Sequence, residues 1–296
     1  MRHARNIITS TAQERFEQYS HPLYKGAVDV DDNGKFAVIP PGVNTRIFTT
    51  ESGREDDAIS GRFDALLADG SKPYIVLASR FEEKKNHLGA IEAYARSKSL
   101  QDKAGMAIFI RGIGDPYQGI EDQPDDTKRV LEPMLAMIEQ AGLREKVRFL
   151  PIDSQQELAA AYRYFARRGS VFALTAFYEP FGLAPIEAAA CGLAVAATKN
   201  GGPSDIFEDG SGILIDPEDS DNIADGLLKG LNEQAHYAKL GQRRVESKYT
   251  WDKTAEAYLS IIRQFAGKPC NRNFKAPELD APERLRKYLE EPLNKS

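Results

Sequence analysis

Cysteine is almost absent from this chain. Only Cys191 and Cys270 occur among 296 residues, so neither a disulfide framework nor a cysteine-based zinc cluster can be built. Histidine is scarce as well, and His3, His21, His87 and His236 lack metal-ligand spacing. No apolar run approaches the ~20 residues of a membrane span. The opening stretch MRHARNIITSTAQERF lacks the uninterrupted apolar core of a signal peptide. An excess of positive charge is also missing, since 39 Lys plus Arg against 44 Asp plus Glu leave −5. Such a balance has no electrostatic footprint for gripping nucleic acid or anionic lipid. Any phosphate bound here must be held by local groups. These absences point to the cytoplasm and to small-molecule partners, with no nucleic acid and no membrane.

What is present is ordinary globular material, 42% apolar and 28% charged, enough for a large core. From about residue 73, short apolar runs alternate with helical patterns. PYIVLAS, MAIFIRG, VRFLPI, SVFALTAF, LAVAAT and GILID read as strands. Between them, HLGAIEAYARSKS carries Leu88, Ile91 and Ala95 on one helical face, and RVLEPMLAMIEQAG closes at Gly142. In SQQELAAAYRYFARRG, Ser154 and Glu157 have capping-box spacing. Strands apolar on both faces and spaced by helices predict a doubly wound parallel sheet in an α/β domain. Earlier, NIITSTAQERFEQY predicts a strand running into a helix, and KFAVIPPGV a strand ending at Pro40-Pro41-Gly42. Later, WDKTAEAYLSIIRQFAG is an amphipathic helix, followed from Pro269 by a charged tail with four prolines.

Several motifs do not carry function. Asp29, Asp31, Asn33 and Gly34 match the opening of a calcium loop, but its twelfth position is Pro40 where a bidentate Glu is needed. The stretch reads as a solvated turn. In RGIGDPYQG, Gly112 and Gly114 are not followed by the third glycine of a dinucleotide fingerprint, leaving a tight strand-to-loop turn that can skirt a ligand. Neither a Gly-Lys-Ser/Thr phosphate loop nor a Gly-x-Ser-x-Gly elbow occurs. Cys191 sits in a run of small residues and reads as packing.

The informative segment is Phe177-Tyr-Glu-Pro-Phe-Gly-Leu-Ala-Pro-Ile-Glu187. Glu179 falls in a loop at the carboxyl end of a buried strand, where open α/β sheets place ligands. Gly182 allows close backbone approach, and a helix opens at Leu183 with Pro185 in its first turn. The N–H groups of Gly182, Leu183 and Ala184 then form a ready phosphate site. Glu187 lies one turn inside, where its carboxylate can accept from a ribose diol. Either glutamate alone reads as an ordinary loop or helix-start acid; two bracketing an anion-binding helix start read as a site. Arg80 and Lys85, in SRFEEKKNH, follow the first strand of the domain at the same sheet edge and can neutralise a diphosphate.

The Glu–seven residues–Glu segment resembles the signature of the family-four retaining glycosyltransferases of the GT-B fold. Arg80 and Lys85 match that family's Arg and Lys pair, and Gly201-Gly202-Pro203 its glycine-rich turn. The similarity is closer to sucrose-phosphate synthases and their mannosylfructose-phosphate relatives. It runs from about residue 6 to 266, through QERFEQYSHPLYKGA, IPPGVNTRIF, SQQELAAAY and NGGPSDI. The resemblance implies that Arg80 and Lys85 hold the donor diphosphate and sugar, that Glu187 holds the ribose, and that Glu179 sits by the donor sugar. It also places the base against the loop around Pro151, Ile152 and Ser154. The implied substrates are a nucleoside diphosphate sugar, UDP-glucose first, and a sugar phosphate, fructose 6-phosphate first, with no metal or other cofactor.

A GT-B enzyme has two such domains, and the acceptor is held largely by the N-terminal one. Residues 1–45 resemble only the end of that domain, residues 46–266 the donor-binding domain with its closing helix, and 267–296 the tail. Cut off from a parent sheet, the first 40 residues are expected to be mobile, to dock irregularly or to mediate association. The family's N-terminal glycine-rich loop and catalytic-site histidine have no counterpart. Two expectations stay open: half of a synthase completed by a separate N-terminal domain, or a nucleotide-sugar-binding fragment or regulatory subunit that catalyses nothing. Arg15 and Arg46 are expected to be exposed cations able to attract a sugar phosphate.

Overall fold

In the computed structural model, residues 4–266 other than 25, 68 and 70 are described; the tail expected over 267–296, Cys270 and His3 lie outside them. All residues of β3 (Tyr74–Leu77), β6 (Val171–Leu174) and β7 (Ala194–Thr198) are buried. They are joined by β4 (Gly105–Ile110), β5 (Val147–Pro151) and β8 (Ile213–Ile215) in a six-stranded sheet of order β5-β4-β3-β6-β7-β8, every pairing parallel. The six apolar runs of the sequence are these six strands. A sheet apolar on both faces has to be covered twice. On one face α1 (Asp56–Leu66), α6 (Gln155–Ala166), α7 (Leu183–Ala190) and α10 (Gln234–Lys248) enclose Phe63, Tyr162, Phe165, Phe172, Ile186 and Val245. On the other, α2 (His87–Arg96), α3 (Lys98–Lys103), α5 (Asp125–Gln140) and α9 (Ser220–Asn232) enclose Ile91, Leu100, Met134, Ile138 and Leu227. Two short helices, α4 (Pro116–Gly119) and α8 (Gly202–Ile206), sit in loops, and α11 (Trp251–Phe265) ends the described chain.

The sheet is built outward from β3 in two directions. The chain runs β3, β4, β5 toward one edge, then returns beside β3 as β6 and continues to β8. Connections on the two sides of β3 and β6 therefore diverge, which opens a crevice beyond their carboxyl ends. The loops carrying Arg80, Lys85 and Glu179 leave from those two strands.

Some local readings change. The helix expected through Ser99 stops at Arg96, because extended Ser97 caps a new helix by accepting from the Leu100 N–H. The capping box is only half formed: Ser154 Oγ accepts from the Glu157 N–H, while the Glu157 carboxylate takes the Asp153 N–H and the Arg62 guanidinium. Gly142 does close α5, at φ 64°.

Near the amino end, β1 (Ile7–Thr9) and β2 (Phe36–Val38) form a separate two-stranded parallel sheet. The helical turn Glu14–Gln18 lies between them in sequence. This segment attaches to the six-stranded unit beside α8: Ala12 N–H donates to Asp205 and Gln13 to Ser204 Oγ. Thr254 on α11 donates to the Pro40 carbonyl. Arg15 is not an exposed cation. It is 7% exposed, donates to the Val30 carbonyl and Asn33, and lies over the Phe16 and Phe36 rings. Apolar neighbours and a turn to close claim it for structure, whereas Arg46 is exposed. The acidic stretch 29–34 is a pair of side-chain-stabilised turns, with the Asp29 and Asp32 carboxylates accepting from the Asp31 and Gly34 N–H groups.

Candidate nucleotide-sugar site

The loop after β3 is shaped by its own termini. Ser79 Oγ and His87 Nε2 lie 3.0 Å apart across its base, and Asn86 adopts a left-handed conformation (φ 50°, ψ 44°) while its side chain accepts from the Gly89 N–H to cap α2. Asn86 also donates to the Pro217 carbonyl, and its own carbonyl accepts from Thr175 on the neighbouring loop. The Phe177 N–H donates to the Lys84 carbonyl. Thus the Lys84 and Asn86 carbonyls tie the loop after β3 to the loop after β6, apart from any contact between the candidate site side chains. His87 is 1% exposed, and burial, reinforced by Lys85, pushes its pKa down to about 4.

Lys85 and Glu179, one on each of these loops, are in contact. Their Nζ and Oε2 atoms are 2.6 Å apart, with side chains only 12% and 15% exposed. Glu179 is fixed from a third side. Its N–H donates to the Asn200 carbonyl and its carbonyl accepts from the Gly202 N–H. A Cβ on Gly201 would sit 2.1 Å from the Glu179 carbonyl oxygen, and one on Gly202 would sit 2.2 Å from that of Phe181. The two glycines permit that close approach. Arg80, by contrast, projects outward: its guanidinium meets Glu82 at 2.6 Å and is 78% exposed.

Gly182, at φ 107°, turns the chain from the Glu179 loop into α7. The N–H groups of Gly182, Leu183 and Ala184 donate to no other described residue. The first N–H groups of α7 are therefore left without a partner among the described residues, the arrangement that an anion at a helix start requires. The Glu187 side chain, one turn inside, makes no hydrogen bond or ion pair with another described residue, and burial pushes its pKa up to about 7. Burial penalises the charged form of a carboxyl, and here no partner offsets it.

At the same sheet edge a cleft of about 600 Å³ runs over the carboxyl ends of β3, β4 and β5. Its walls include Arg80, Phe81, Arg111, Ile113, Ile152 and Leu158. Ile152 thus lies in the cleft wall, whereas Ser154, the cap of α6, is not among the lining residues and its hydroxyl is committed to Glu157. The turn RGIGDPYQG supplies Arg111 and Ile113, with Gly112 at φ 68° reversing the chain between them. Sequence reasoning missed Phe81, Arg111 and Leu158. Arg111 had a readable signal, a charged residue immediately after a wholly apolar strand.

The sequence pattern described as "Glycosyl transferases group 1" matches residues 62–246. The chain belongs to that family. A probable sucrose-phosphate synthase of Thermosipho melanesiensis is 39% identical over 267 residues, covering 89% of this chain and 55% of the relative. The glycosyltransferase chain therefore spans about half the length of that relative. Among solved structures, a sucrose-phosphate synthase from Thermosynechococcus elongatus superposes with a TM-score of 0.68 at 23% identity, over 89% of this chain and 59% of its own. The Anabaena protein HepE, solved in complex with UDP-glucose, gives 0.62 at 20% identity over 88% and 64%. Those two likenesses establish the GT-B type of fold. Among the described residues, no helix is long and apolar enough to cross a membrane.

Proposed function

We propose that this chain is the donor-binding half of a retaining hexosyltransferase that moves a glucosyl group from UDP-glucose to fructose 6-phosphate. The observation that carries the reading is the meeting of Lys85 with the Glu179 loop that leads into the free α7 amides. Arg80, on the same loop as Lys85, lines a cleft over the neighbouring strand ends sized for a nucleoside. Lys85 spends one ammonium hydrogen on Glu179 and has two left for phosphate oxygens. With the α7 amides these donors stabilise charge on the departing diphosphate, which is where this reaction needs help. Glu179, locked through its backbone, orients the sugar, and Glu187 accepts from the ribose diol. Ile152 packs on the base at the far end of the cleft, with Ser154 capping the helix behind it. The similarity to sucrose-phosphate synthases, and to a protein solved with UDP-glucose, supports the choice of acceptor and donor.

Transfer also needs the acceptor held against the donor, and orientation of this kind is worth roughly 7–11 kcal/mol of barrier. We assign that task to a second α/β domain joined through residues 1–45. In support, β1 and β2 are a two-stranded parallel sheet, which has little stability without further strands. Beside them α11 exposes Trp251, Tyr258, Leu259 and Ile262 along one face. The test is calorimetry with UDP, in which Glu187→Ala is expected to lose roughly 1.5–3 kcal/mol, as for hydrogen bonds to a charged group. No binding of UDP, GDP or ADP by the chain would overturn the donor site. Incubation with UDP-glucose and fructose 6-phosphate is expected to yield no disaccharide phosphate from the chain alone. Robust turnover would overturn the half-enzyme reading. Rescue by an added N-terminal domain would favour a split synthase over an inactive binding fragment.

A further inference from the structure

Arg111 is a cation without a task. It follows β4 directly, lines the 600 Å³ cleft, and its guanidinium makes no ion pair or hydrogen bond with another described residue. The cleft's other charged groups, Arg80 and Glu82, hold each other at 2.6 Å. Around them the walls are mostly apolar, with Phe109, Ile113, Ile152 and Leu158 against the uncharged polar Gln123 and Thr127. An apolar slot with one free fork of donors is suited to a flat ring that presents hydrogen-bond acceptors at its edge.

Sheet geometry says which part of a nucleotide would reach it. The α7 amides leave from the loop after β6, Lys85 from the loop after β3, and Arg111 from β4, in the spatial order β4-β3-β6. Neighbouring strands are about 4.8 Å apart, so β4 stands roughly 10 Å along the sheet edge from β6. With a diphosphate on the α7 amides and Lys85, and the ribose crossing β3, the base lies over β4 and β5. Arg111 and Ile152 meet there, since the Ile152 N–H donates to the Ile110 carbonyl at 2.8 Å.

We infer that Arg111 selects the base of the donor, pairing its guanidinium with a carbonyl-bearing edge such as that of uracil or guanine and discriminating against adenine. This rests on the donor-site reading above. Guanidinium carries only donors. Guanine accepts two of them at O6 and N7, as in nucleic acids, and a uracil carbonyl oxygen can accept two on its own lone pairs. The exocyclic amine of adenine instead turns donor against donor.

The test is calorimetry on the full chain with UDP, GDP and ADP, comparing wild type, Arg111→Met and Arg111→Lys. The side chain is exposed and unpartnered, so both variants are expected to keep the wild-type circular dichroism and melting temperature. Wild type is expected to prefer UDP or GDP over ADP. Arg111→Met should weaken the preferred nucleotide roughly ten- to hundredfold and leave ADP within a few-fold, collapsing the preference. Arg111→Lys also carries only donors, so part of the preference should return. Equal weakening of all three nucleotides by Arg111→Met, no partial recovery with lysine, or a wild type without base preference would overturn the role of Arg111 and leave the donor site standing. A wild type that binds none of them overturns the donor site and Arg111 with it.

Discussion

Replacing Glu187 by glutamine should stabilise this protein and weaken its ligand binding at the same time. The carboxyl is largely buried and unpartnered, and its pKa is raised from 4.5 to about 7. Between those two values the folded state holds a proton that the unfolded state has released. Stability therefore falls as pH rises across that window, and above pH 7 the folded chain carries the full cost of a desolvated charge. At 1.36 kcal/mol per unit that cost is about 3 kcal/mol. Glutamine keeps the shape and carries no charge, so Glu187→Gln should gain up to about that amount at pH 8 and little at pH 4.5. The assay is equilibrium urea unfolding of both proteins at the two pH values, beside UDP calorimetry at pH 8. Affinity for UDP should drop, because an amide is a weaker acceptor for the ribose diol than a carboxylate. A stability difference that is the same at both pH values, or absent at pH 8, would refute the burial argument. A stabilised variant with undiminished UDP affinity would refute the ribose role alone.

Other perturbations probe the rest of the site. Lys85→Met leaves the Glu179 carboxylate, 15% exposed, without its partner; it should cost roughly 3 kcal/mol in urea unfolding, and a paired Glu179→Gln should recover most of it. Gly201→Ala puts a Cβ 2.1 Å from the Glu179 carbonyl at φ 94°; a loss of roughly 1–3 kcal/mol with weaker UDP-glucose binding is expected, against no change if that turn is merely a surface loop. His87, with its pKa lowered from 6.5 to about 4, contributes stability that is complete above pH 6.5 and lost as pH falls toward 4. Acid titration of the unfolding midpoint should lose that segment in His87→Leu.

Locally encoded features were legible without coordinates. Continuous apolar runs identify the main-sheet strands, most plainly β3, β6 and β7, because a strand buried on both faces has no freedom to be polar. Gly142 and Gly182 mark chain reversals that only glycine enters without strain. Pro185 marks the first turn of α7, since proline lacks only an N–H that no helix uses there. The Glu179 and Glu187 spacing across a helix start is local as well, so the unpartnered helix end between them could be read from one segment.

What the tertiary structure decided depends on groups distant in sequence. Lys85 and Glu179 are 94 positions apart and meet because β3 and β6 are sheet neighbours, an order that no local pattern specifies. Arg15 reads as a surface cation by composition, yet the turn ending at Asn33 and the Phe36 ring fold over it. The left-handed Asn86 is chosen by the Pro217 and Thr175 contacts that surround it. Arg111 faces the cleft only because β4 places its carboxyl end between β3 and β5. Sequence specifies what each segment can bury, and hence the elements and their faces. Which charged groups confront one another is settled by the strand order, since Coulomb and hydrogen-bond terms act at a few ångströms of space, whatever the separation along the chain.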